Sequence, residues 1–288
     1  MEAILCDWGN TRLRLWRIES GAIVEHRQGP GMAHVGDPKA ALTSSLGNWP
    51  EDRVILCGMA GARNALHEAP YVTCPAGRSA WQESSVELDL GGRKVTLAAG
   101  FSTRDGRGRP DVMRGEETQI FGALALDPAL ASGEQLFVLP GTHSKWASMS
   151  EGRMVEFRTF VTGELFGVLE QSSIFLSRDH SETDEEVGFD AGLARSAEGS
   201  GAPASLFEAR AAQLQDGRTP GWARGFVSGL LIGDEVRAME PRGPVLVIGS
   251  TPLSGRYGTA LTHFGVPFEA MNADDCVIAG LRLLHARA

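Results

Sequence analysis

Short apolar runs and amphipathic stretches alternate along this chain. In the first half, apolar runs end at glycine or at polar turns, which is the pattern of buried strands. Residues 114–126 instead have apolar residues at helical spacing, with Glu116 and Glu117 in the first turn. Just before them, the arginine-, glycine- and proline-rich stretch 101–111 predicts a mobile, basic loop. The strands predicted in this half are residues 3–6, 12–18 and 94–100, and residues 53–61 predict a strand that runs into a glycine-rich turn.

The second half opens with strands and then becomes mainly helical. Residues 135–161 predict three strands separated by two turns, and residues 244–250 predict a buried strand. The last helix is expected from Asp274, with Asp274 or Asp275 as its N-cap. Strands that alternate with helices in this way indicate an α/β fold. The remaining predictions are helices at 163–171, 203–215, from Pro220 and at 252–264, an acidic segment near 181–197, and a strand at 266–271.

Two segments half a chain apart repeat one pattern. The stretches "ILCDWGNTRLRLW" and "FVLPGTHSKWASM" each contain an apolar strand, a Gly/Thr turn, a basic residue and a second strand. The repeat predicts two similar halves, each opening with a hairpin whose turn faces a shared cleft. Chance recurrence of a common strand-glycine-strand pattern is the alternative.

Composition narrows the class of protein. The 288 residues are 42% hydrophobic and 22% charged, as in ordinary globular proteins, and suffice for one large or two moderate domains. A net charge of −9 argues against a nucleic-acid partner. No apolar run approaches the roughly 20 residues of a membrane span, and the N-terminus does not resemble a signal peptide. The four scattered cysteines form no C-x-x-C pair, so we expect a reduced, cytoplasmic protein without disulfides or structural zinc.

A carboxylate stands where the first predicted strand meets its turn. The turn Gly9-Asn10-Thr11 offers backbone N–H groups and a hydroxyl, which suit phosphate oxygens. Arg12 or Arg14 can neutralise phosphate charge. Asp7 cannot bind phosphate directly, because both are anionic, but it can hold Mg²⁺ through water.

Two later turns offer related chemistry. Gly141 opens a second turn, and two such turns facing each other would clamp a triphosphate. A plain hairpin with solvated charges is the alternative for either turn alone. The turn Gly249-Ser250-Thr251 ends a predicted strand, and its glycine allows close approach of an adenine ring or ribose. The polar side chains that follow Gly141 are Thr142, His143, Ser144 and Lys145.

The helix predicted at 114–126 carries the candidate base. Glu117 shares a helix face with apolar residues, and a carboxyl group in apolar surroundings has a raised pKa that suits proton transfer. Glu116 has a more mixed neighbourhood. The alternative for both glutamates is a simple interaction with the helix N-terminus. Asp111, just ahead of the helix, is the competing base.

These turns resemble the two phosphate motifs and the adenosine motif of the sugar kinase/Hsp70/actin superfamily. More narrowly, several segments are similar to the 2-dehydro-3-deoxygalactonokinase family, in order over nearly the whole chain. The blocks "MRGEETQ" and "PGTHSKW" are the most specific. The matching segments are "CDWGNTRLRLW", "GMAGARNALHEAPYVTCPAG", "DVMRGEETQIFGAL", "LPGTHSKW", "FRTFVTGEL", "FVSGLLIGDEV" and the end of the chain.

The resemblance implies two RNase H-like domains of the actin-like ATPase kind, with a nucleotide cleft between them. Residues 1–134 would carry the first phosphate motif and the sugar-acid site. Residues 135–288 would carry the second phosphate and adenosine motifs, with the last helix packing back on the first domain. The implied reaction is ATP- and Mg²⁺-dependent phosphorylation of the 6-hydroxyl of 2-dehydro-3-deoxy-D-galactonate in galactonate breakdown. Pro140 stands where many superfamily members have Asp, so Asp7 is expected to hold the metal alone.

The resemblance also suggests roles for individual residues. Glu117, or else Asp111, would accept the proton of the attacking hydroxyl. Arg114 or Arg158 would pair with the substrate carboxylate. The candidates for binding the substrate's other polar groups are Glu116, Thr162 and Glu164.

Three other functions stay open on the sequence alone. A phosphohydrolase of the same fold would act on polyphosphate or nucleotides. A pantothenate-kinase-like enzyme would share the Asp-x-Gly-Asn-Thr opening, and a non-catalytic protein could sense nucleotide. The sequence determines neither the epimer of the sugar acid nor the oligomeric state, for which a homodimer is one option.

Overall fold

The computed structural model describes residues 1–172, 176, 183–199 and 201–286. The chain divides into two compact units. The first comprises Met1–Gln135, Ala147–Phe157 and Met271–Ala288, and the second comprises Leu136–Trp146 and Arg158–Ala270. In the part of the chain that the structure describes, no helix combines the length and apolar character needed to cross a membrane.

Strands and helices follow one another along the whole chain. The strands are β1 (Ala3–Trp8), β2 (Arg12–Glu19), β3 (Ala22–Pro30), β4 (Arg53–Gly58), β5 (Tyr71–Thr73), β6 (Ala76–Gly77), β7 (Val86–Leu90), β8 (Arg93–Leu97), β9 (Gly100–Arg104), β10 (Pro110–Met113), β11 (Glu134–Leu139), β12 (Ser144–Ser150), β13 (Arg153–Phe160), β14 (Val245–Gly249) and β15 (Phe268–Asn272). The helices are α1 (Pro38–Leu46), α2 (Arg78–Glu83), α3 (Glu116–Leu126), α4 (Thr162–Ser172), α5 (Glu185–Ala197), α6 (Ala202–Gln215), α7 (Pro220–Met239), α8 (Thr251–His263) and α9 (Ala273–His285).

A six-stranded mixed sheet forms the centre of the first unit, in the order β3-β2-β1-β4-β8-β7. Its strand β1 is buried along its whole length, as its run of apolar residues predicts. β1 runs antiparallel to β2 and parallel to β4, so Asp7 lies opposite both Arg14 and Cys57. Leu13 and Leu15 on β2 are buried in the same apolar cluster as Leu42 of α1.

Helices α3 and α9 pack against each other within the first unit, and small residues make this possible. A Cβ atom at Gly122 of α3 would overlap the backbone of Cys276, and one at Gly280 of α9 would overlap the backbone of Thr118. Two helices can approach this closely only where a side chain is missing from the contact. The C-terminal helix therefore supports the helix that carries Glu116 and Glu117.

The sheet of the second unit repeats the arrangement seen around β1. Its six strands have the order β15-β14-β11-β12-β13-β6, and β11 runs parallel to β14. β11 thus has its hairpin partner on one side and a parallel strand on the other, as β1 has β2 and β4. In the apolar core of this unit, side chains of α5 and α7 pack with those of the sheet, among them Phe189, Ile232 and Val247. The sequence repeat is therefore also a structural repeat.

Several predicted elements differ from the structure. The stretch 101–111 is largely the hairpin β9–β10 rather than a loop, because Asp105 accepts hydrogen bonds from the backbone N–H groups of Arg107 and Arg109 and so closes a tight turn. The strand predicted at 94–100 ends at Leu97. Residues 181 and 182 of the acidic segment lie outside the described residues.

The predicted N-cap of the last helix is wrong. Asn272, rather than Asp274 or Asp275, caps α9: its side-chain oxygen accepts from the backbone N–H groups of both aspartates. Asn is as good an N-cap as Asp, so composition alone does not distinguish the three positions. Both aspartates instead lie in the first turn, where the helix dipole favours negative charge.

Candidate active site

The first glycine turn joins β1 to β2 in the first unit. The backbone N–H of Gly9 donates to the carbonyl of Arg12 at 2.9 Å and closes the turn Gly9-Asn10-Thr11. The three carbonyl groups of this turn accept hydrogen bonds from the backbone of residues 31–33, which fixes its conformation. Asn10, Thr11 and Arg12 are exposed, whereas Asp7 is only 8% exposed. The turn therefore offers a fixed polar surface with a buried acid behind it.

The carboxylate of Asp7 is held on both oxygens. Oδ2 forms an ion pair with Arg14, whose guanidinium also pairs with Asp274 at the start of α9. Oδ1 accepts a long hydrogen bond from the thiol of Cys57, at 3.6 Å. Because Arg14 is engaged by two carboxylates, Arg12 is the arginine of this turn that stays exposed to a ligand.

Glu117 is fully buried at the start of α3, with 0% exposure. Its Oε2 accepts from the backbone N–H of Gly115 at 2.7 Å, and its Oε1 accepts from the hydroxyl of Thr118 at 3.0 Å. Burial, reinforced by the charge of Glu116, raises the pKa of Glu117 from 4.5 to about 7. A carboxyl group with this pKa can take up and release a proton near neutral pH.

The backbone before α3 places this carboxyl. Gly115 has φ +113°, a conformation that residues with a side chain rarely adopt, and it precedes the helix directly. Cys57, at the end of β4, lies near both acids: burial and the charges of Asp7 and then Glu117 raise the pKa of its thiol. The structure thus brings Asp7 and Glu117 into one neighbourhood of the first unit. Asp111 lies on β10, where its Oδ1 accepts from the backbone N–H of Val112 at 2.7 Å.

Arg114 is a buried cation with unused hydrogen-bond donors. It is 9% exposed, its Nη2 donates to the carbonyl of Ala69 at 2.8 Å, and its guanidinium lies 4.2 Å from the ring centre of Tyr71. Its Nε and Nη1 have no hydrogen-bond partner among the described residues. Unsatisfied buried donors cost about 1–3 kcal/mol each, and an anionic ligand would satisfy them. Glu116 accepts from the backbone N–H of Arg114 at 3.1 Å.

The second glycine turn belongs to the second unit, where α4 supports it. Gly163 packs on the carbonyl of Gly141 so closely that a Cβ atom there would overlap it. The backbone N–H of Glu164 donates to the carbonyl of Thr142 at 2.8 Å, and its carboxylate lies 2.6 Å from Nε2 of His143. These contacts make the turn a rigid part of the unit.

The other candidate site residues of the second unit, Lys145, Arg158 and Thr162, differ in exposure. Lys145 is buried on β12 and donates to the hydroxyl of Thr159 at 2.7 Å. Arg158 is exposed on β13, and its Nη1 lies 3.4 Å from the carbonyl of Ala238. Thr162 is the first residue of α4, and its hydroxyl donates to Glu235.

A cavity of about 210 Å³ in the second unit is bordered by Gly141 of the second glycine turn and by residues of α8. β14 ends at Gly249, where a Cβ atom would lie 2.7 Å from Oγ of Ser254 and 3.7 Å from Pro140, and Ser250 and Thr251 are exposed at the start of α8. The cavity is lined by Gly141, by apolar residues that include Leu231 and Leu253, and by the ion pair of Arg256 with Glu185. Its apolar walls and few charged groups suit a planar ligand with polar edges.

Sequence reasoning missed Glu235, which is buried on α7 and accepts four side-chain hydrogen bonds. Burial raises its pKa, although the four hydrogen bonds oppose this effect. A signal was present in the sequence: Glu235 follows Leu231 and Ile232 at helical spacing, so it lies on an apolar helix face. An acid in that position must find partners inside the protein.

In the part of the chain that the structure describes, no group of three or more His, Cys, Asp or Glu side chains could hold a metal ion. The donor set near Asp7 nevertheless fits a hydrated Mg²⁺. This ion needs only one or two carboxylates and keeps several of its waters. Among the described residues, Oδ1 of Asp7 accepts only the long bond from Cys57, so it retains acceptor capacity for such a water.

More distant solved structures share the fold: the activator of the 2-hydroxyisocaproyl-CoA dehydratase from Clostridium difficile is 10% identical and superposes with a TM-score of 0.53, covering 99% of this chain and 95% of that one. A sequence profile of the 2-keto-3-deoxy-galactonokinase family matches residues 7–284. The chain belongs to this family. The α/β fold and the family expected from the sequence are both confirmed.

Relatives match over nearly their whole length. The chain is 38% identical to the probable 2-dehydro-3-deoxygalactonokinase DgoK1 of Rhizobium meliloti (strain 1021), covering 96% of this chain and 94% of the relative. It is 32% identical to the 2-dehydro-3-deoxygalactonokinase of Escherichia coli (strain K12), covering 99% and 98%. A crystal structure of a candidate 2-dehydro-3-deoxygalactonokinase from Sinorhizobium meliloti is 33% identical and superposes with a TM-score of 0.89, covering 99% of this chain and 96% of that one.

Proposed function

We propose that this protein is a kinase that transfers phosphate from ATP to the 6-hydroxyl of 2-dehydro-3-deoxy-D-galactonate, in galactonate breakdown. The family match and the two named relatives support the reaction. The structural observation that carries the proposal is Glu117, a buried carboxyl with a pKa of about 7 in the neighbourhood of Asp7. A group half ionised at neutral pH suits removal of a hydroxyl proton.

The glycine turns are the proposed phosphate-binding elements. In the first unit, Gly9-Asn10-Thr11 and Arg12 would bind phosphate oxygens, because these residues are exposed on a fixed turn. In the second unit, the turn from Gly141 to Lys145, with Thr142 and His143, would do the same. Gly249-Ser250-Thr251 and the cavity beside them would receive the nucleoside, whose base would lie against the apolar wall.

Mg²⁺ would be held by Asp7 through water, with Oδ1 as the acceptor, because Arg14 occupies Oδ2. When bound there, the ion would offset the negative charge of the phosphates.

Arg114 is the better of the two candidates for the substrate carboxylate. Two of its guanidinium nitrogens are buried and unpartnered, whereas Arg158 is exposed and lies near the carbonyl of Ala238. A planar guanidinium can bind a carboxylate with two parallel hydrogen bonds. Glu116, Thr162 and Glu164 would accept hydrogen bonds from the substrate's hydroxyl groups.

In the proposed reaction, the 6-oxygen of the sugar acid forms a bond to the γ-phosphorus as the bond from phosphorus to the ADP oxygen breaks. Glu117 accepts the proton of that hydroxyl, and Asp111 is the second choice for this role. The products are ADP and the 6-phosphate of the sugar acid. Most of the rate gain would come from positioning and charge stabilisation, since the transition state needs little covalent help from the protein.

A coupled ADP-release assay with ATP and Mg²⁺, run across 2-keto-3-deoxy sugar acids, tests this function. We expect turnover with 2-dehydro-3-deoxy-D-galactonate to exceed that with its gluco epimer and with pantothenate. Phosphate release at one rate with and without sugar acid would instead indicate a phosphohydrolase. Binding of ATP without product from any acceptor would indicate a nucleotide sensor.

We further propose that the two units correspond to the two RNase H-like domains expected at 1–134 and 135–288. The location we propose is cytoplasmic, because the four cysteines are all free thiols. Size-exclusion chromatography with light scattering on the same preparation distinguishes a monomer from a homodimer.

A further inference from the structure

Glu235 is a buried acid that the proposed reaction does not use. It is 2% exposed, and each carboxylate oxygen serves two donors. The hydroxyl of Ser144 and the indole N–H of Trp146 each lie 2.6 Å from Oε1. The hydroxyl of Tyr257 lies 2.9 Å from Oε2, which also accepts from the hydroxyl of Thr162.

These donors come from three elements of the second unit, and two of them, Thr162 and Tyr257, line the cavity. Ser144 directly follows the second glycine turn, and Thr162 begins the helix whose next residues hold that turn. Tyr257 lies on α8, which starts at the nucleoside turn, and it lines the cavity with Thr162. One carboxylate on α7 therefore links both ligand-binding turns of the second unit.

The arrangement is a costly way to stabilise a core. Among the residues that the structure describes, Glu235 has no cationic partner, and a buried charge without one is unfavourable unless hydrogen bonds compensate. An apolar side chain of similar volume often stabilises a protein as well or better. What an apolar side chain cannot do is fix the directions of four donors on three elements.

We infer that Glu235 is a positioning residue that holds the second glycine turn and α8 at a fixed separation and so sets the affinity for the nucleotide. The inference rests on the proposed function, because it assumes that this cavity binds ATP. Misplacement of a binding group by a fraction of an ångström is enough to weaken a site.

Two substitutions distinguish the positioning role of Glu235 from the effect of its negative charge. In Glu235→Gln, the amide oxygen can still accept the hydrogen bonds from Ser144 and Trp146. The amide NH₂ can donate to the hydroxyls of Thr162 and Tyr257, which rotate to accept. The four links then persist without the charge. Glu235→Ala removes all four. Glu240→Gln is the control, since Glu240 is exposed at the end of the same helix.

The test measures the dissociation constant of a non-hydrolysable ATP analogue with Mg²⁺ by calorimetry, together with KM for each substrate. We expect Glu235→Gln and the control to bind the analogue within threefold of wild type, and Glu235→Ala to bind at least tenfold more weakly. KM for the sugar acid should rise less than KM for ATP in Glu235→Ala, because Thr162 is the one partner of Glu235 that is also proposed to bind the sugar acid. If that variant does not fold, Tyr257→Phe, which removes one link and keeps the ring, should weaken analogue binding threefold or more.

Three results would overturn the inference: unchanged analogue binding in Glu235→Ala or Tyr257→Phe, equal loss in Glu235→Gln and Glu235→Ala, or an equal rise of KM for both substrates. The last would mean a general structural role. A wild-type protein that binds no ATP analogue contradicts the proposed function instead, so the two failures are distinguishable.

Discussion

Replacing Glu117 by Gln is the sharpest perturbation of the proposed chemistry. The change keeps the size of the side chain and an acceptor for the backbone N–H of Gly115, which lies 2.7 Å from the carboxylate. It removes the ability to ionise. Because the side chain is fully buried, the change tests the cost of that ionisation without screening by solvent.

The magnitude follows from the pKa of Glu117. Burial and the charge of Glu116 raise it from 4.5 to about 7, and each pKa unit corresponds to about 1.4 kcal/mol. A raised folded-state pKa disfavours the ionised form of Glu117. The stability that the protonated side chain contributes is therefore fully present below pH 4.5 and is lost as pH rises through 7. Wild type should lose about 3 kcal/mol of folding free energy over this range relative to Glu117→Gln.

Urea denaturation of both proteins from pH 5 to pH 8.5 measures this difference, and steady-state kinetics measure the catalytic effect. We expect the variant to gain stability over wild type as pH rises, while turnover falls by a factor of 10² to 10⁴, about the usual contribution of a general base. Binding of the ATP analogue should not change. Glu134→Gln, at the exposed start of β11, is the control.

Parallel pH–stability curves for wild type and Glu117→Gln would refute the raised pKa. An unchanged turnover number would remove Glu117 from the mechanism and direct attention to Asp111.

Further substitutions test the other proposed roles. Glu116→Gln removes a charge that raises the pKa of Glu117, so the rising limb of the pH–rate profile should move to lower pH. Arg114→Met should raise KM for the sugar acid tenfold or more and leave KM for ATP unchanged, and Arg158→Met should change neither. Equal effects of the two arginine variants would contradict the choice of Arg114. Asp7→Asn should raise the Mg²⁺ concentration needed for half-maximal activity several-fold, and an unchanged requirement would place the metal elsewhere.

Local sequence patterns predict much of the fold. The hairpins at 3–18 and 135–161 have strong apolar runs broken by glycine, and both form as predicted. The burial of Glu117 was also predictable, because its helix neighbours on one face are apolar. The binding of one triphosphate by both glycine turns stays a prediction.

The sequence does not predict contacts between residues that lie far apart along the chain. The ion pair of Arg14 with Asp274 joins residues 260 positions apart, and the bond from Ser144 to Glu235 spans 91 positions. Periodicity describes which face of an element is buried, but it does not show which element covers that face. The hairpin at 100–113 was missed for another reason: its turn is closed by Asp105, in a stretch whose composition resembles a loop.

The two acids of the first unit differ in what surrounds them, and this difference supports different roles. Asp7 forms an ion pair with a guanidinium through one oxygen, and its other oxygen would accept from a water of a hydrated metal ion. Glu117 receives only neutral donors in a fully buried position, which leaves it able to hold a proton at neutral pH. A proton acceptor with a permanent cationic partner would be too weak a base to serve. The ion pair at Asp7 and the neutral donors at Glu117 therefore support the proposal that Asp7 holds the metal and Glu117 accepts the proton.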